Sequence, residues 1–258
     1  MRVIASRQHS IVKTFRAIAR GSQSHLLLDG WHLLTDAVRA NVIVETIAVA
    51  GEPRASDARV LERARTSGAD VIAVSAKVIE ALSPVRSASS VVAIARRPNV
   101  PASALLSPSP ALVLAIAGVQ DPGNVGAAIR SAAGGGATGV ACDGGSADPF
   151  GWKALRASMG SAFHVPVLRV ADMNASVARW RASGLAILAA TARGGRSIYD
   201  VDWRRPTAIL MGGEGAGLPA SLADAADSRV SIPMRPPVES LNVAVAAALM
   251  VFEAQRQR

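Results

Sequence analysis

The sequence predicts an α/β protein built from two domains, on three observations. Apolar runs of strand length alternate with segments of helical periodicity along nearly the whole chain, which is typical of parallel sheets covered by helices on both faces. At 258 residues and 50% hydrophobic content, the chain has room for one large or two ordinary domains. Between the two halves, RPNVPASALLSPSP (97 to 110) concentrates proline and serine, as linkers with few contacts do.

The elements follow in order from these patterns. In the first half the apolar runs and helical periodicities predict helix 10–20, strand 26–29, helix 31–39, strand 46–49, helix 57–67, strand 70–74, helix 75–82 and strand 90–95. In the second half they predict strand 111–117, helix 125–133, strand 138–142, helix 150–158, strand 165–169, helix 172–183, strand 185–190, strand 207–211, helix 219–226, strand 229–233 and helix 241–256. The last helix has Ser240 as its candidate N-cap and is apolar nearly all round, which predicts a central or interface position.

Positive charge is concentrated near the start of the chain. The net charge is +9, and residues 1 to 110 hold 14 Lys and Arg against 8 Asp and Glu. Five cations precede the first acid, Asp29: Arg2, Arg7, Lys13, Arg16 and Arg20. Lys13, Arg16 and Arg20 fall within about 60° of one another on helix 10–20, opposite an apolar stripe. This face is either an ordinary solvated surface or a site of phosphate contact.

Several classes of protein are not expected. Cys142 is the only cysteine, so the chain has no internal disulfide and a reducing cytoplasm is its natural compartment. The four histidines are scattered without metal-ligand spacing, so no metal site is expected. The longest apolar runs are too short to span a bilayer, and no secretory leader is expected, so no membrane association is predicted.

Glycine patterns suggest a nicotinamide-dependent enzyme as a rival hypothesis. Gly134, Gly136 and Gly139 fit G-x-G-x-x-G, but here the helix precedes the pattern and the strand follows it, the reverse of a dinucleotide fingerprint. A second glycine cluster, LMGGEGAGLP (210 to 219), does follow a strand. It and the proline-bearing loop before the last helix open at strand ends, where open α/β sheets hold small ligands.

Three ordered segments resemble the sequence motifs of the SpoU (TrmH-type) RNA 2′-O-ribose methyltransferases. They are GVQDPGNVGAAIRSAAGGGATGV (118 to 140), ILMGGEGAGLP (209 to 219) and SIPMRPPVESLNVAVAAALMVFEAQRQR (231 to 258). Residues 1 to 97 are more loosely similar to the ribosomal-protein-like RNA-binding domain that many members carry. The resemblance covers nearly the whole chain.

The resemblance implies a catalytic domain of the SPOUT type, a parallel sheet whose C-terminal segment is threaded through a loop as a trefoil knot. The implied organisation is an RNA substrate-binding domain at 1–97, a linker at 98–110 and the methyltransferase domain at 111–258. The implied cofactor is S-adenosylmethionine, and the family dimerises through its C-terminal domain. The residues that match its cofactor contacts are Met211, Gly212, Gly213, Ile232, Met234, Leu241 and Asn242.

The residues that match the family's catalytic positions are Arg130, Asn124, Glu214, Ser240 and Asn242. Deprotonating an arginine near pKa 13 at neutral pH costs about 8 kcal/mol. We therefore expect Arg130 to hold a phosphate and the reacting 2′-oxygen rather than to act as a base. Asn124 and Ser240 have a competing interpretation as helix caps. A purely structural role is harder to assign to Arg130, since it interrupts a small, apolar helix.

The expected function is 2′-O-methylation of a structured RNA, with 23S ribosomal RNA as the favoured target because an N-terminal domain is present. Arg7, Lys13, Arg16 and Arg20 are the expected RNA contacts. Methylation of tRNA and a catalytically silent RNA-binding role are the alternatives. Gly134 and Gly135 depart from the bulkier residues typical of the family after its first motif.

Overall fold

The computed structural model describes residues 3–85 and 87–258, which fold into two compact units. The first unit contains the chain up to Asn99 together with Phe150–Phe163, and the second contains Val100–Pro149 and His164–Arg258. The chain therefore leaves the second unit at residue 149 and rejoins it at residue 164.

Helices and strands alternate along the chain as the sequence predicts. Up to Asn99 they are β1 (Val3–Ile4), α1 (Ser10–Arg20), β2 (His25–Asp29), α2 (Trp31–Arg39), β3 (Val44–Val49), α3 (Ala55–Thr66), β4 (Asp70–Val74), α4 (Ala76–Leu82) and β5 (Val91–Arg96). From Val100 onward they are β6 (Leu112–Ala117), α5 (Pro122–Gly134), β7 (Gly139–Cys142), α6 (Trp152–Ser158), β8 (Val167–Arg169), α7 (Met173–Ala182), β9 (Ala186–Ala190), β10 (Arg196–Ser197), β11 (Thr207–Gly212), α8 (Ala220–Asp224), β12 (Ser228–Ser231) and α9 (Val243–Gln257).

The sheet of the first unit has the order β1-β4-β3-β5-β2. Its β1, β4 and β3 are parallel, but β5 runs antiparallel to both β3 and β2. The expectation of a parallel sheet in this half is therefore wrong. The alternating pattern identified the strands, but a helix between two strands does not fix their direction. Helix α4 precedes β5, and β5 nevertheless pairs antiparallel with both of its neighbours.

Residues 150–163 complete the first unit. Helix α6 packs against β2, and His32 Nε2 lies 3.2 Å from the carbonyl oxygen of Met159. Gly160 has φ +79°, and a Cβ added there would stand 2.4 Å from Oδ2 of Asp36. This close approach and the left-handed backbone together require glycine at position 160.

The sheet of the second unit has the order β10-β12-β9-β11-β6-β7-β8, and every neighbouring pair is parallel. The prediction of a parallel α/β sheet in this half is confirmed. Because the strands are parallel, the loops that follow β6, β9 and β11 open at the same edge of the sheet.

The proline-rich stretch before β6 makes more contacts than its composition suggests. Ala102–Leu106 form a 3₁₀ turn, and Leu105 is fully buried in the core of the second unit. Thr138 Oγ1 donates to the carbonyl oxygen of Leu105 at 2.6 Å. In the described part of the chain, none of the helices has both the length and the apolarity to cross a membrane.

Candidate active site

A cavity of about 300 Å³ opens among the ends of β9 and β11, the loop after β12 and the start of α9. Apart from Asn242, every residue that the sequence suggested for cofactor binding lines it. These lining residues are Met211, Gly212, Gly213, Ile232, Met234 and Leu241. Glu214 and Ser240, two of the suggested catalytic residues, also line it.

The glycines at the end of β11 and just after it let three stretches of backbone pack together. A Cβ added at Gly212 would lie 2.1 Å from the carbonyl carbon of Gly217, and one added at Gly213 would lie 2.2 Å from the oxygen of Gly118. Gly215 and Gly217 have φ of +83° and +67°. The neighbouring backbone therefore leaves no space for a side chain at Gly212. The glycines thus shape the cavity wall.

Asn124, Glu214 and Asn242 form a hydrogen-bonded group, called here the Asn–Glu–Asn cluster. Asn124 Nδ2 donates to Glu214 Oε1 at 2.7 Å, and Asn242 Nδ2 donates to the same oxygen at 3.1 Å. Asn242 Nδ2 also lies 2.9 Å from Asn124 Oδ1. One residue from each of the three sequence motifs meets here, across separations of 90 and 28 residues for the two bonds to Glu214.

The structure corrects both helix-cap interpretations. Asp121 caps α5, because its Oδ1 accepts a hydrogen bond from the backbone N–H of Asn124 at 2.9 Å. The side chain of Asn124 is thereby left for the cluster. Helix α9 is capped by Asn242, whose Oδ1 accepts from the N–H groups of Ala244 and Val245, and not by Ser240.

Arg130 lies on α5 and is exposed. Within residues 3–85 and 87–258 it forms no hydrogen bond or ion pair, and it is not among the residues that line the cavity. The structure therefore does not bring Arg130 into contact with the Asn–Glu–Asn cluster. Its guanidinium group has no structural partner among the described residues to explain a charge on this small, apolar helix.

Several lining residues were missed by the sequence analysis: Ala190, Thr191, Ala192, Val243, Ala246 and Met250. Ala190 and Thr191 stand at the end of β9, which pairs with β11 only in the folded sheet. The local sequence does not determine the order of strands in a sheet. Only the alternation of strands and helices indicated that a ligand site lies at the edge where β9 and β11 end.

The single cysteine of the sequence, Cys142, is buried. Burial, reinforced by the negative charge of Asp143, raises the pKa of Cys142 to about 12, so its side chain is a neutral thiol. Residues 3–85 and 87–258 contain no group of three or more metal-ligating side chains. The G-x-G-x-x-G fit begins at the end of α5 and ends at the start of β7, so the helix precedes the strand.

The expected RNA contacts lie in the first unit. Lys13, Arg16 and Arg20 are exposed on α1. Arg7 is paired with Glu80, its Nη2 lying 2.9 Å from Oε2. Arg2, counted among the early cations, lies outside the described residues.

Family models match both parts of the chain. The model of the SpoU rRNA Methylase family matches residues 111–252, and that of the MRM3-like substrate binding domain matches residues 13–93.

Two relatives match the chain over nearly its full length. One, 30% identical over 99% of this chain and 94% of its own length, is an uncharacterized tRNA/rRNA methyltransferase from Synechocystis sp.. The other, 30% identical over 98% of both chains, is the 23S rRNA (guanosine(2553)-2′-O)-methyltransferase RlmP of Bacillus subtilis.

Solved structures are similar over the same extent. An rRNA methyltransferase from Sinorhizobium meliloti superimposes with a TM-score of 0.89 at 30% identity, covering 99% of this chain and 97% of that one. The SpoU methyltransferase AviRb from Streptomyces viridochromogenes, solved in complex with AdoMet, gives 0.87 at 30% identity, covering 97% and 98%.

Proposed function

The chain belongs to the SpoU rRNA methylase family, and from this premise we propose that it transfers a methyl group from S-adenosylmethionine to a ribose 2′-hydroxyl of a structured RNA. The enzyme is an S-adenosylmethionine-dependent RNA 2′-O-methyltransferase. The observation that carries this conclusion is the Asn–Glu–Asn cluster, which joins residues of all three family motifs beside a cavity formed by the glycine loop.

The cavity fits this cofactor in size and in lining. Methionine, isoleucine and leucine side chains offer apolar walls for an adenine ring, and the glycine backbone offers N–H and C=O groups. Glu214 supplies a carboxylate at the rim, suited to the positive charge of the cofactor. When bound, S-adenosylmethionine supplies an electrophilic methyl group on a sulfonium. We assign Met211, Gly212, Gly213, Ile232, Met234 and Leu241 to its binding, with Asn242 beside them.

The protein's own groups must hold the 2′-oxygen in line with the methyl group and stabilise the charge that develops on that oxygen. Arg130 is suited to this task, because its guanidinium group is exposed and can bind a phosphate and an oxygen with two parallel donors. The proton of the 2′-hydroxyl then passes to water or to a nearby group. Arg130 therefore does not have to lose its own proton.

Within the cluster, Glu214 fixes the side-chain amides of both asparagines. Asn242 is doubly constrained, since its Oδ1 caps α9 while its Nδ2 donates within the cluster. Such fixed amides orient a substrate at low entropic cost. Ser240 lines the cavity beside them and can donate its hydroxyl to the substrate.

We favour 23S ribosomal RNA as the target. The Bacillus subtilis relative acts on 23S rRNA, and the first unit matches a substrate-binding domain model over residues 13–93. The exposed cations of α1 support an RNA-binding role for this unit. A ribosomal target also favours a cytoplasmic enzyme. Methylation of tRNA and a silent RNA-binding role remain the alternatives.

We further propose a homodimer formed through α9 and a trefoil knot in the second unit. The dimer is supported by an exposed apolar stripe on α9, where Val245, Leu249 and Phe252 are 49%, 40% and 48% exposed and share one face. The knot is supported by the lining of the cavity, where residues 190–192 at the end of β9 and the glycine loop after β11 meet the C-terminal segment 232–243.

A titration and a transfer assay test the function. Full-length protein is titrated calorimetrically with S-adenosylmethionine and with NAD, and we expect binding of the former alone. It is then incubated with tritiated cofactor and either 23S rRNA or tRNA, and RNase-resistant dinucleotides are analysed. Label in such dinucleotides from 23S rRNA is the expected result.

Each other outcome selects an alternative. Cofactor binding without transfer indicates the silent RNA-binding protein, and label in tRNA alone overturns the favoured target. Affinity for NAD instead of S-adenosylmethionine, or label on a base, contradicts the proposed reaction.

A further inference from the structure

The first unit contains a cavity of about 350 Å³ that the methyl-transfer site does not use. It is lined by Arg16, Ala19 and Arg20 from α1, by residues 80–84 at the end of α4 and just after it, and by Trp152 at the start of α6. We call it the Trp152 pocket. All of these residues belong to the first unit.

The walls of the Trp152 pocket are held by contacts within the unit. The indole of Trp152 packs, partly buried, against the same core as Phe15 and Leu82. Arg16 Nε donates to the carbonyl oxygen of Ala81 at 3.0 Å, which fixes one edge of its guanidinium group. Ser83 Oγ donates to Asp29 and accepts from the N–H of Val85, so the turn after α4 is fixed as well. The pocket is therefore formed before any ligand arrives.

Its charge is positive. Arg16 and Arg20 line it, and Lys153 Nζ stands 5.5 Å from the centroid of the Trp152 ring. The carboxylate in its lining, Glu80, is paired with Arg7 at 2.9 Å. Two guanidinium groups beside an aromatic ring form the combination that binds a nucleotide, the ring stacking on a base and the cations holding phosphate.

We propose that the Trp152 pocket binds one unpaired nucleotide of the RNA substrate, with its base stacked on Trp152 and its phosphate held by Arg16 and Arg20. The identity of the ligand as RNA rests on the proposed function. Stacking does not depend on hydrogen-bonding edges, so the pocket accepts any base and selects for single-stranded character. It thus requires a looped or bulged nucleotide at a fixed place in the target.

A tetraribonucleotide that carries 2-aminopurine tests the pocket, because stacking on an aromatic ring quenches this fluorophore. With the full-length protein we expect saturable quenching. Trp152→Ala should weaken binding about 5- to 150-fold and remove the quenching, since stacking on an aromatic ring contributes about 1–3 kcal/mol per base. Trp152→Phe should keep both within about threefold. Arg20→Ala should reduce the slope of log K against log salt by about 0.7.

Arg59→Ala is the matched control, because it removes one exposed arginine from α3 and none from the pocket. It should keep the affinity and quenching of the unaltered protein. The proposal would be overturned if Trp152→Ala bound the probe and quenched it as the unaltered protein does. It would also be overturned if tripolyphosphate displaced the probe regardless of whether Trp152 is present, or if an acidic peptide displaced it preferentially.

Methyl transfer and S-adenosylmethionine affinity are measured on the same preparations. Trp152→Ala should leave the cofactor affinity unchanged. If the unaltered protein methylates RNA while Trp152→Ala still binds the probe normally, the pocket assignment fails alone. If the unaltered protein transfers no methyl group, the proposed function fails independently of the quenching result.

Discussion

Arg130 is the residue whose role the chemistry defines most sharply. If it binds phosphate and the 2′-oxygen as negative charge develops, Arg130→Ala should lower kcat by orders of magnitude at nearly constant cofactor affinity. Arg130→Lys keeps the charge but loses the planar pair of donors, so it should also be severely impaired. Single-turnover transfer from tritiated cofactor, beside calorimetry, measures both quantities. Near-normal turnover of the alanine variant would remove Arg130 from the mechanism.

For individual residues, the sequence identifies site positions more reliably than it explains why those residue types are needed there. The sequence indicates both Asn124 and Gly212 as site residues. However, Asn124 is freed from capping by Asp121, and Gly212 is required by the backbone of Gly217 and Leu218. These reasons depend on how the glycine loop folds back on itself and on competition between neighbouring side chains, which a motif does not encode.

Among the elements, the contact between α5 and α9 explains a departure from the family pattern. A Cβ added at Gly135 would lie 2.4 Å from Cγ1 of Val251 and 3.2 Å from the carbonyl oxygen of Ser131. Valine has little freedom to move aside. Gly135→Ala should therefore reduce the free energy of unfolding by about 1–3 kcal/mol, measured by urea denaturation.

Gly134→Ala is the control for this contact. A Cβ added there would meet only Cζ of Phe252 at 3.7 Å, an ordinary van der Waals distance. Alanine also has a higher helix propensity, so this variant should be unchanged or slightly more stable. Equal destabilisation of both variants would show that loss of glycine, rather than the Val251 contact, controls stability here.

Helices could be predicted because the periodic pattern of apolar residues depends only on positions close together in the sequence. The bounds of α1 and α2 agree with the expected ones. Strand direction could not be predicted in this way, as antiparallel β5 shows. The prolines of residues 97 to 110 predict a linker, yet Ala102–Leu106 form a turn in which Leu105 is buried. The composition reflects the exposed majority of that stretch and does not reveal the apolar side chains that pack on the core, which are Leu105, Val100 and Leu106.

For the whole molecule, the exposed stripe on α9 makes the assembly testable. In the proposed homodimer Leu249 is buried by the partner, so Leu249→Glu would place a charge in the interface and should yield monomers. Size-exclusion chromatography with light scattering gives the mass. Ile43→Glu, at a residue 56% exposed in the first unit, is the control and should stay dimeric. A monomeric unaltered protein, or a dimeric Leu249→Glu variant, would contradict the proposed dimer.

The discontinuous first unit has a consequence for how the protein is made. Residues up to Asn99 leave the ribosome first, but α6, which packs on β2 and supplies Trp152, follows only after residues 100–149. At about 5–20 residues per second, the nascent first unit waits roughly 3 to 13 s for its last helix. Until Phe163 emerges, the growing chain carries its early cations without the aromatic wall beside them. The first unit can therefore bind an unpaired nucleotide only after more than half of the chain has been synthesised.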